Sequence, residues 1–163
     1  YCVDLLSNAL KKNNITNHLI EIGGEMYASG INNINNTRWK VGISDPLKPD
    51  DTKQKIFLKN IALASSGNYR KFLIDPETGI KIVHTINPNN GSANQTNILA
   101  SSVIAENCMT ADAYATAFMA MPLDKSISLI NDDKSLDGMI IYFDSNNEIQ
   151  TYYSSGFKQL IFD

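Results

Sequence analysis

ILASSVIAENCMTADAYATAFMAM, residues 98–121, is the stretch on which the fold class turns. Its first part, ILASSVIA at 98–105, is an apolar run of strand length and predicts a buried strand. A short polar break follows. TADAYATAFMAM at 110–121, with five alanines, then predicts a helix with Thr110 as N-cap. A strand leading into a helix suits either a parallel βαβ unit or an α+β arrangement, so the flanking sequence has to choose.

Upstream, HLIEIGG predicts a short strand carrying Leu19, Ile20 and Ile22 and closed by Gly23-Gly24. WKVGI at 39–43 is a second strand, bounded by INNINNT and by Asp45-Pro46. KIFLKNIALASSG holds one or two strands that end at Ser66-Gly67. YRKFLID at 69–75 and IKIVHTI at 80–86 flank Pro76-Glu77-Thr78-Gly79, a good hairpin turn. Downstream lie a shorter helix at 124–130 and two closing strands, GMIIYFD and TYYSSGF, around an Asp-Ser-Asn-Asn turn. Many hairpins and three helices predict an α+β domain with an antiparallel or mixed sheet, not alternating βαβ. No internal repeat or linker interrupts the chain, so residues 1–163 read as a single domain.

The bulk composition is that of a globular protein: 163 residues, 43% apolar and 19% charged. With a net charge of −3, no basic footprint argues for nucleic acid or an anionic membrane surface. No apolar run is long enough to span a bilayer. Cys2 and Cys108 form no metal-type pair; a disulfide and two buried thiols both remain open. The chain opens YCVDLLSNALKKNN, without an initiator methionine or a leader-like segment. It reads as an amphipathic helix already under way, with Val3, Leu5, Leu6, Ala9 and Leu10 on one side, and is expected to be part of something longer.

Three features could carry chemistry. His84 lies in KIVHTINPNNG, at the end of a strand and before a Pro-Asn-Asn-Gly break. A strand histidine is commonly just hydrogen-bonded, but this position also suits a general base beside a substrate loop. His18, at the head of an apolar strand, has no acidic or cysteine neighbours and reads as structural. Asp112 and Thr116 stand four apart on the predicted helix, so a carboxylate and a hydroxyl project from one face. That pair suits a hard cation such as Mg²⁺. Equally, an Asp in the first helical turn favours the macrodipole and a Thr can bond its own backbone. Gly23-Gly24 and Ser65-Ser66-Gly67-Asn68 allow close backbone approach to a ligand, or are simply turns.

In order along the chain these fragments resemble the ApbE family, the FAD:protein FMN transferases. The resemblance rests on Tyr1-x-Val3-Asp4, IEIGGEMYASG at 20–30, RWKVGISDP at 38–46 and ASSGNYRKF at 64–72. It continues through HTINPNNG at 84–91, similar to an HxIxPxTG-like loop, and SVIAENCMTADAYATAF at 102–118, similar to a strand followed by an ADAxAT helix. Asn87 stands where the family usually has Asp, and Asn90 where Thr is common. The family protein is about twice this length, so the resemblance implies its C-terminal half, with an ApbE-like (T-fold-like) fold.

The resemblance implies an enzyme. FAD is cleaved at its pyrophosphate and FMN is joined to a Thr or Ser hydroxyl of an acceptor protein, releasing AMP. The alternatives are an FAD pyrophosphatase giving FMN and AMP, or an inactive flavin-binding fragment. It implies His84 as the catalytic base, Asp112, Ala115 and Thr116 as Mg²⁺ positions, and Ile86, Thr85, Ser66, Gly67 and Asn68 at the FAD. It also implies a periplasmic or cell-surface protein that meets the membrane only through an upstream lipid anchor, with no nucleic-acid partner.

Overall fold

The computed structural model describes residues 1–48, 50–68, 72–74, 76, 81–83, 85–88, 91, 93 and 96–162, with backbone alone at 72–74, 81 and 82. Ten strands and four helices are assigned among them. The strands are β1 (His18–Ile22), β2 (Glu25–Ser29), β3 (Trp39–Ser44), β4 (Thr52–Leu58), β5 (Ile61–Gly67), β6 (Phe72–Ile74), β7 (Lys81–Val83), β8 (Ile98–Ala105), β9 (Asp137–Phe143) and β10 (Ile149–Tyr153). The helices are α1 (Cys2–Lys12), α2 (Cys108–Ala120), α3 (Leu123–Asp132) and α4 (Ser155–Leu160).

Six strands form one sheet in the order β1-β2-β5-β8-β9-β10, and every neighbouring pair is antiparallel. The chain meanders across this sheet and makes two hairpin excursions, β3–β4 and β6–β7, which form separate two-stranded sheets. The β8-to-β9 connection carries α2 and α3, so the strand–helix stretch 98–121 serves an antiparallel return rather than a parallel crossover. Among the described residues no helix is long and apolar enough to cross a membrane.

The alternation of side chains along each strand splits the core in two. On one face, Tyr27, Ala62, Ala64, Val103, Ala105 and Ile140 pack against Val3 of α1 and Cys108, Ala111, Ala115 and Phe118 of α2. On the other, Ala28, Leu63, Ile104, Met139 and Ile141 pack under Val41, Ile43, Ile56 and Leu58 of the β3–β4 hairpin and Phe157 of α4. A register shift between Ile98 and Ala100 makes Leu99 the extra residue of a bulge, and both Leu99 and Ala100 pack on the hairpin side. Ala62 and Ala64 beneath Ala111 and Ala115, all fully buried, let α2 approach the sheet closely. The alanine content of α2 thus serves packing as well as helix propensity.

Two local expectations are corrected, and the open question of the cysteines is answered. Helix α1 buries Val3 and Ser7, whereas Leu5 and Leu6 are 51% and 49% exposed. Its inward face is set by His18, whose Nε2 accepts from the Ser7 hydroxyl at 2.9 Å while Nδ1–H donates to the Ile15 carbonyl at 3.0 Å. With both ring nitrogens engaged and the residue buried, His18 is structural, as its sequence context predicted. The segment SSGF is not strand: β10 ends at Tyr153, and Ser154 caps α4 by accepting from the Phe157 N–H. Ser154 also donates to Asp137 at 2.6 Å, and this anchored cap outweighs the continuing apolar pattern. Cys2 and Cys108 form no disulfide; Cys2 is exposed and Cys108 buried.

Candidate active site

Helix α2 begins earlier than the sequence predicts, and the difference alters the meaning of Asp112. Asn107, with extended backbone, is the N-cap: its side-chain oxygen accepts from the Thr110 N–H at 2.8 Å. Thr110 is therefore the third helical residue, not the cap, because Asn107 reaches the free N–H first. The first-turn anion comes from elsewhere in the chain. The Asp4 carboxylate, on α1, accepts from the Cys108 N–H at 2.7 Å and the Met109 N–H at 2.9 Å. With Asp4 there, Asp112 falls in the second turn, where neither capping nor the macrodipole accounts for it.

Asp112 and Thr116 are both exposed, one turn apart. Thr116 does not stand alone: its Oγ1 lies 3.2 Å from Ser66 Oγ, at the end of β5. Alternation along β5 sends Ala62, Ala64 and Ser66 to the helix face, which delivers the Ser66 hydroxyl to α2. Between Asp112 and Thr116, Ala115 is buried, and its carbonyl accepts from the buried Ser101 hydroxyl at 2.6 Å. Ser101 thereby ties the middle of α2 to β8 and fixes the height at which Asp112 and Thr116 emerge.

The predicted flavin-side residues meet at the same strand end. Gly67 pairs with Ala100, and the buried Asn68 donates its N–H to Leu99 at 3.1 Å. The Asn68 side-chain oxygen accepts from the buried Thr85 hydroxyl at 3.4 Å, which draws the 85–88 loop to β5. Ile86 bridges to Ala93 and is 59% exposed. His84, the sequence-predicted base, lies outside the described residues. The structure therefore brings together Ser66, Gly67, Asn68, Thr85 and Thr116, from three separate parts of the chain. A carboxylate and a hydroxyl on one helical face suit a hard, oxygen-liking cation. Among the described residues no group of three or more His, Cys, Asp or Glu is placed to hold a metal, so a cation here would complete its shell with hydroxyl, substrate or water oxygens.

A sequence model described as the ApbE family matches residues 1–140. The chain belongs to the ApbE family. A relative from Haemophilus influenzae named FAD:protein FMN transferase is 32% identical over 97% of this chain and 45% of its own length. One of the same name from Vibrio cholerae is 29% identical over 98% of this chain and 46% of its own. The solved structure of the flavin transferase ApbE from Vibrio cholerae superposes with a TM-score of 0.82 at 27% identity, covering 97% of this chain and 48% of that one. An ApbE protein from Thermotoga maritima gives 0.80 at 25% identity, covering the whole of this chain and 51% of that one. The chain thus spans about half the length of the relatives it matches.

Both glycine-containing breaks open on one cleft of about 940 Å³ on the hairpin side of the ApbE sheet. Gly23 and Gly24, both at positive φ, form one rim, and Ser65, Ser66 and Gly67 another. On its floor Ser65 and Ser102 share a 2.8 Å hydroxyl contact. Sequence reading missed Asp4, Ser101 and Asn107 as the residues that set α2. Asp4 stood in the Tyr-x-Val-Asp motif, but its partner is more than a hundred residues away in sequence and no local pattern shows it. Cys108 is also fixed by this corner: its thiol donates to the Met26 carbonyl at 3.0 Å. Burial, and then the neighbouring Asp4 carboxylate, pushes the thiol up to about 12, so it is a packing group and no nucleophile.

Proposed function

We propose that this chain supplies one wall of a flavin-transfer site, and that the complete protein moves FMN from FAD onto a Thr or Ser hydroxyl of an acceptor protein, releasing AMP. The observation that carries this reading is the Ser66–Thr116 contact. It joins the candidate flavin-side strand end to the candidate metal-side helix face, in a chain of the ApbE family.

The roles follow from the chemistry. The acceptor hydroxyl oxygen forms a new P–O bond at the flavin-side phosphorus, the P–O bond to the AMP-side bridging oxygen breaks, and AMP leaves with that oxygen. A hydroxyl is a poor nucleophile until it loses its proton, and imidazole accepts protons near neutral pH; His84 takes that role. Transfer of this kind depends on positioning and charge neutralisation more than on covalent help. Asn68 and Thr85, each buried and hydrogen-bonded to the other, hold the loop that follows His84 in sequence against β5. Ser66 fixes the Thr116 hydroxyl, and Ser101 fixes α2. Asp112 and Thr116 would hold Mg²⁺, with the Ala115 carbonyl directed to Ser101; when bound, the ion supplies positive charge against the pyrophosphate.

The test uses the complete protein with FAD and an acceptor peptide bearing a Thr, followed by peptide mass and AMP release. His84→Ala is expected to abolish the flavin-modified peptide while leaving the thermal midpoint in place. Undiminished modification by that variant sinks the assignment. AMP released at the same rate with and without peptide would show water to be the acceptor instead.

A further inference from the structure

The net charge of −3 hides a division. Residues 38–59 contain six of the fourteen basic residues and three of the seventeen acidic ones, a net +3; the rest of the chain, with eight against fourteen, carries −6. Alternation along the β3–β4 hairpin sorts these charges further. Val41, Ile43, Ile56 and Leu58 point to the core, so Lys40 on β3 and Lys55 and Phe57 on β4 share the outer face, with Arg38 just ahead of β3. Lys40 lies directly opposite Phe57, and Gly42 opposite Lys55.

Aromatic rings sit among these cations. Phe57 stacks on Phe162, with centroids 4.2 Å apart and planes at 28°. Phe162 is held there because its N–H donates to the Lys55 carbonyl at 3.2 Å. The Arg38 guanidinium lies 4.5 Å from the Phe57 centroid, and the Lys40 ammonium 5.2 Å from the Phe162 centroid and 5.7 Å from that of Phe57. Among the described residues no carboxylate lies within ion-pair distance of Arg38, Lys40, Lys53 or Lys55. Arg38, Lys40 and Lys55 are exposed, and Phe57 and Phe162 half-buried. Arg38, Lys40 and Lys55, with no carboxylate partner among the described residues, lie about a ring pair on a two-stranded ribbon and make a surface complementary to negative charge.

We propose that this outer face of the hairpin docks an acidic polypeptide segment in extended conformation. Cations at alternate positions of one strand repeat at about 6–7 Å, the spacing of same-side residues in an extended peptide, so alternate carboxylates match them. The ring pair offers apolar contact to the residues between. The −6 borne by the rest of the chain disfavours the larger anions: a nucleic-acid duplex or an anionic bilayer would reach past the ribbon into repulsion. The proposal uses none of the candidate site residues; Lys40 also lines the cleft bounded by Ser66 and Gly67, so Arg38 and Lys55 are the cations that separate it from the flavin chemistry.

The experiment measures anisotropy of a labelled peptide alternating Glu and Val, about the length of β4, against the complete protein at low ionic strength. The peptide is expected to bind, to lose affinity when Gln replaces Glu, and to weaken with salt. K40E/K55E is expected to weaken it by about tenfold or more, since two attractions become repulsions. R38Q/K55Q is expected to give a smaller loss in the same direction. K125E/K134E makes the same change in net charge away from the hairpin and is expected to leave affinity within about twofold. Both altered lysines of the hairpin pair are exposed, and an unchanged melting curve confirms the fold. Equal binding of the Glu and Gln peptides, or equal losses in K40E/K55E and K125E/K134E, overturns the proposal. So does tighter binding of duplex DNA, or of vesicles of equimolar phosphatidylcholine and phosphatidylglycerol, than of the peptide.

Discussion

Asp4 is the residue whose loss should tell most about how the candidate site is held. It belongs to α1, yet its carboxylate accepts two backbone N–H groups at the start of α2, at 2.7 and 2.9 Å. Its side chain is only 19% exposed. Asp4→Ala removes both charge-assisted bonds and the anion at the positive end of the helix. Hydrogen bonds to a charged group contribute about 1.5–3 kcal/mol and the dipole interaction about 0.3–1, and the two overlap here, so a loss of about 2–4 kcal/mol is expected. For a chain of this size each kcal/mol moves the thermal midpoint by about 2–4 °C, giving a fall of about 4–16 °C. Asp4→Asn keeps one acceptor of the same shape, so it should cost about half as much.

The assay is thermal unfolding followed by helical circular dichroism, with denaturant unfolding as a check at constant temperature. Because α2 carries Asp112 and Thr116, Asp4→Ala should also lower AMP release measured well below its midpoint. A midpoint within about 1 °C of wild type would refute the view that Asp4 sets α2, since so small a shift is under about 0.5 kcal/mol. Equal losses for Asn and Ala would refute the assignment of two separate bonds.

Three further outcomes follow from other positions. The Cys108 thiol keeps its proton in the folded chain up to about 12, whereas an unfolded thiol loses it nearer the ordinary value. Between those values the folded state binds more protons, so stability should fall as pH rises through that window, and Cys108→Ala should flatten the fall in an alkaline denaturation series. Gly30 sits at φ +59, where an added Cβ would run into the Asn17 side chain and stand 2.9 Å from the Thr16 carbonyl. Gly30→Ala is expected to cost about 1–3 kcal/mol in denaturant unfolding, as a strained backbone does. Ser101→Ala leaves the buried Ala115 carbonyl without its side-chain partner and should cost about 1–2 kcal/mol by the same measurement.

The legible part of this fold was the part written in local pattern. Strand β8 ends where its apolar run ends, and Gly23-Gly24 turns β1 into β2 as glycines at positive φ allow. His18 read as structural and is so. Most of the misreadings involve a group distant in sequence, though the Asn107 and Ser154 caps also act locally, each on an N–H three residues on. Asp4 and Asn107, not Thr110, organise the start of α2. Leu5 and Leu6 belong to an apolar pattern, yet α1 turns Val3 and Ser7 inward, because Ser7 has a partner in His18. Ser154 looked like the tail of a strand until Asp137 and the Phe157 N–H were found on its hydroxyl. At the site, the i, i+4 spacing placed Asp112 and Thr116 on one face, but no spacing could show that Ser66 would reach Thr116. Net charge likewise averaged away the basic outer face of the β3–β4 hairpin, which appears only once strand alternation sorts Lys40 and Lys55 to one side.

The central claim is that Asp112 and Thr116 form a cation-binding face that serves flavin transfer. Its most direct test is calorimetric titration of Mg²⁺ into the complete protein and into Asp112→Ala and Thr116→Val, with FAD-dependent modification of the acceptor peptide measured on the same samples. The account predicts that Asp112→Ala weakens Mg²⁺ by at least about tenfold, that Thr116→Val weakens it less, and that peptide modification falls in the same order. Identical Mg²⁺ affinity in all three proteins would contradict it.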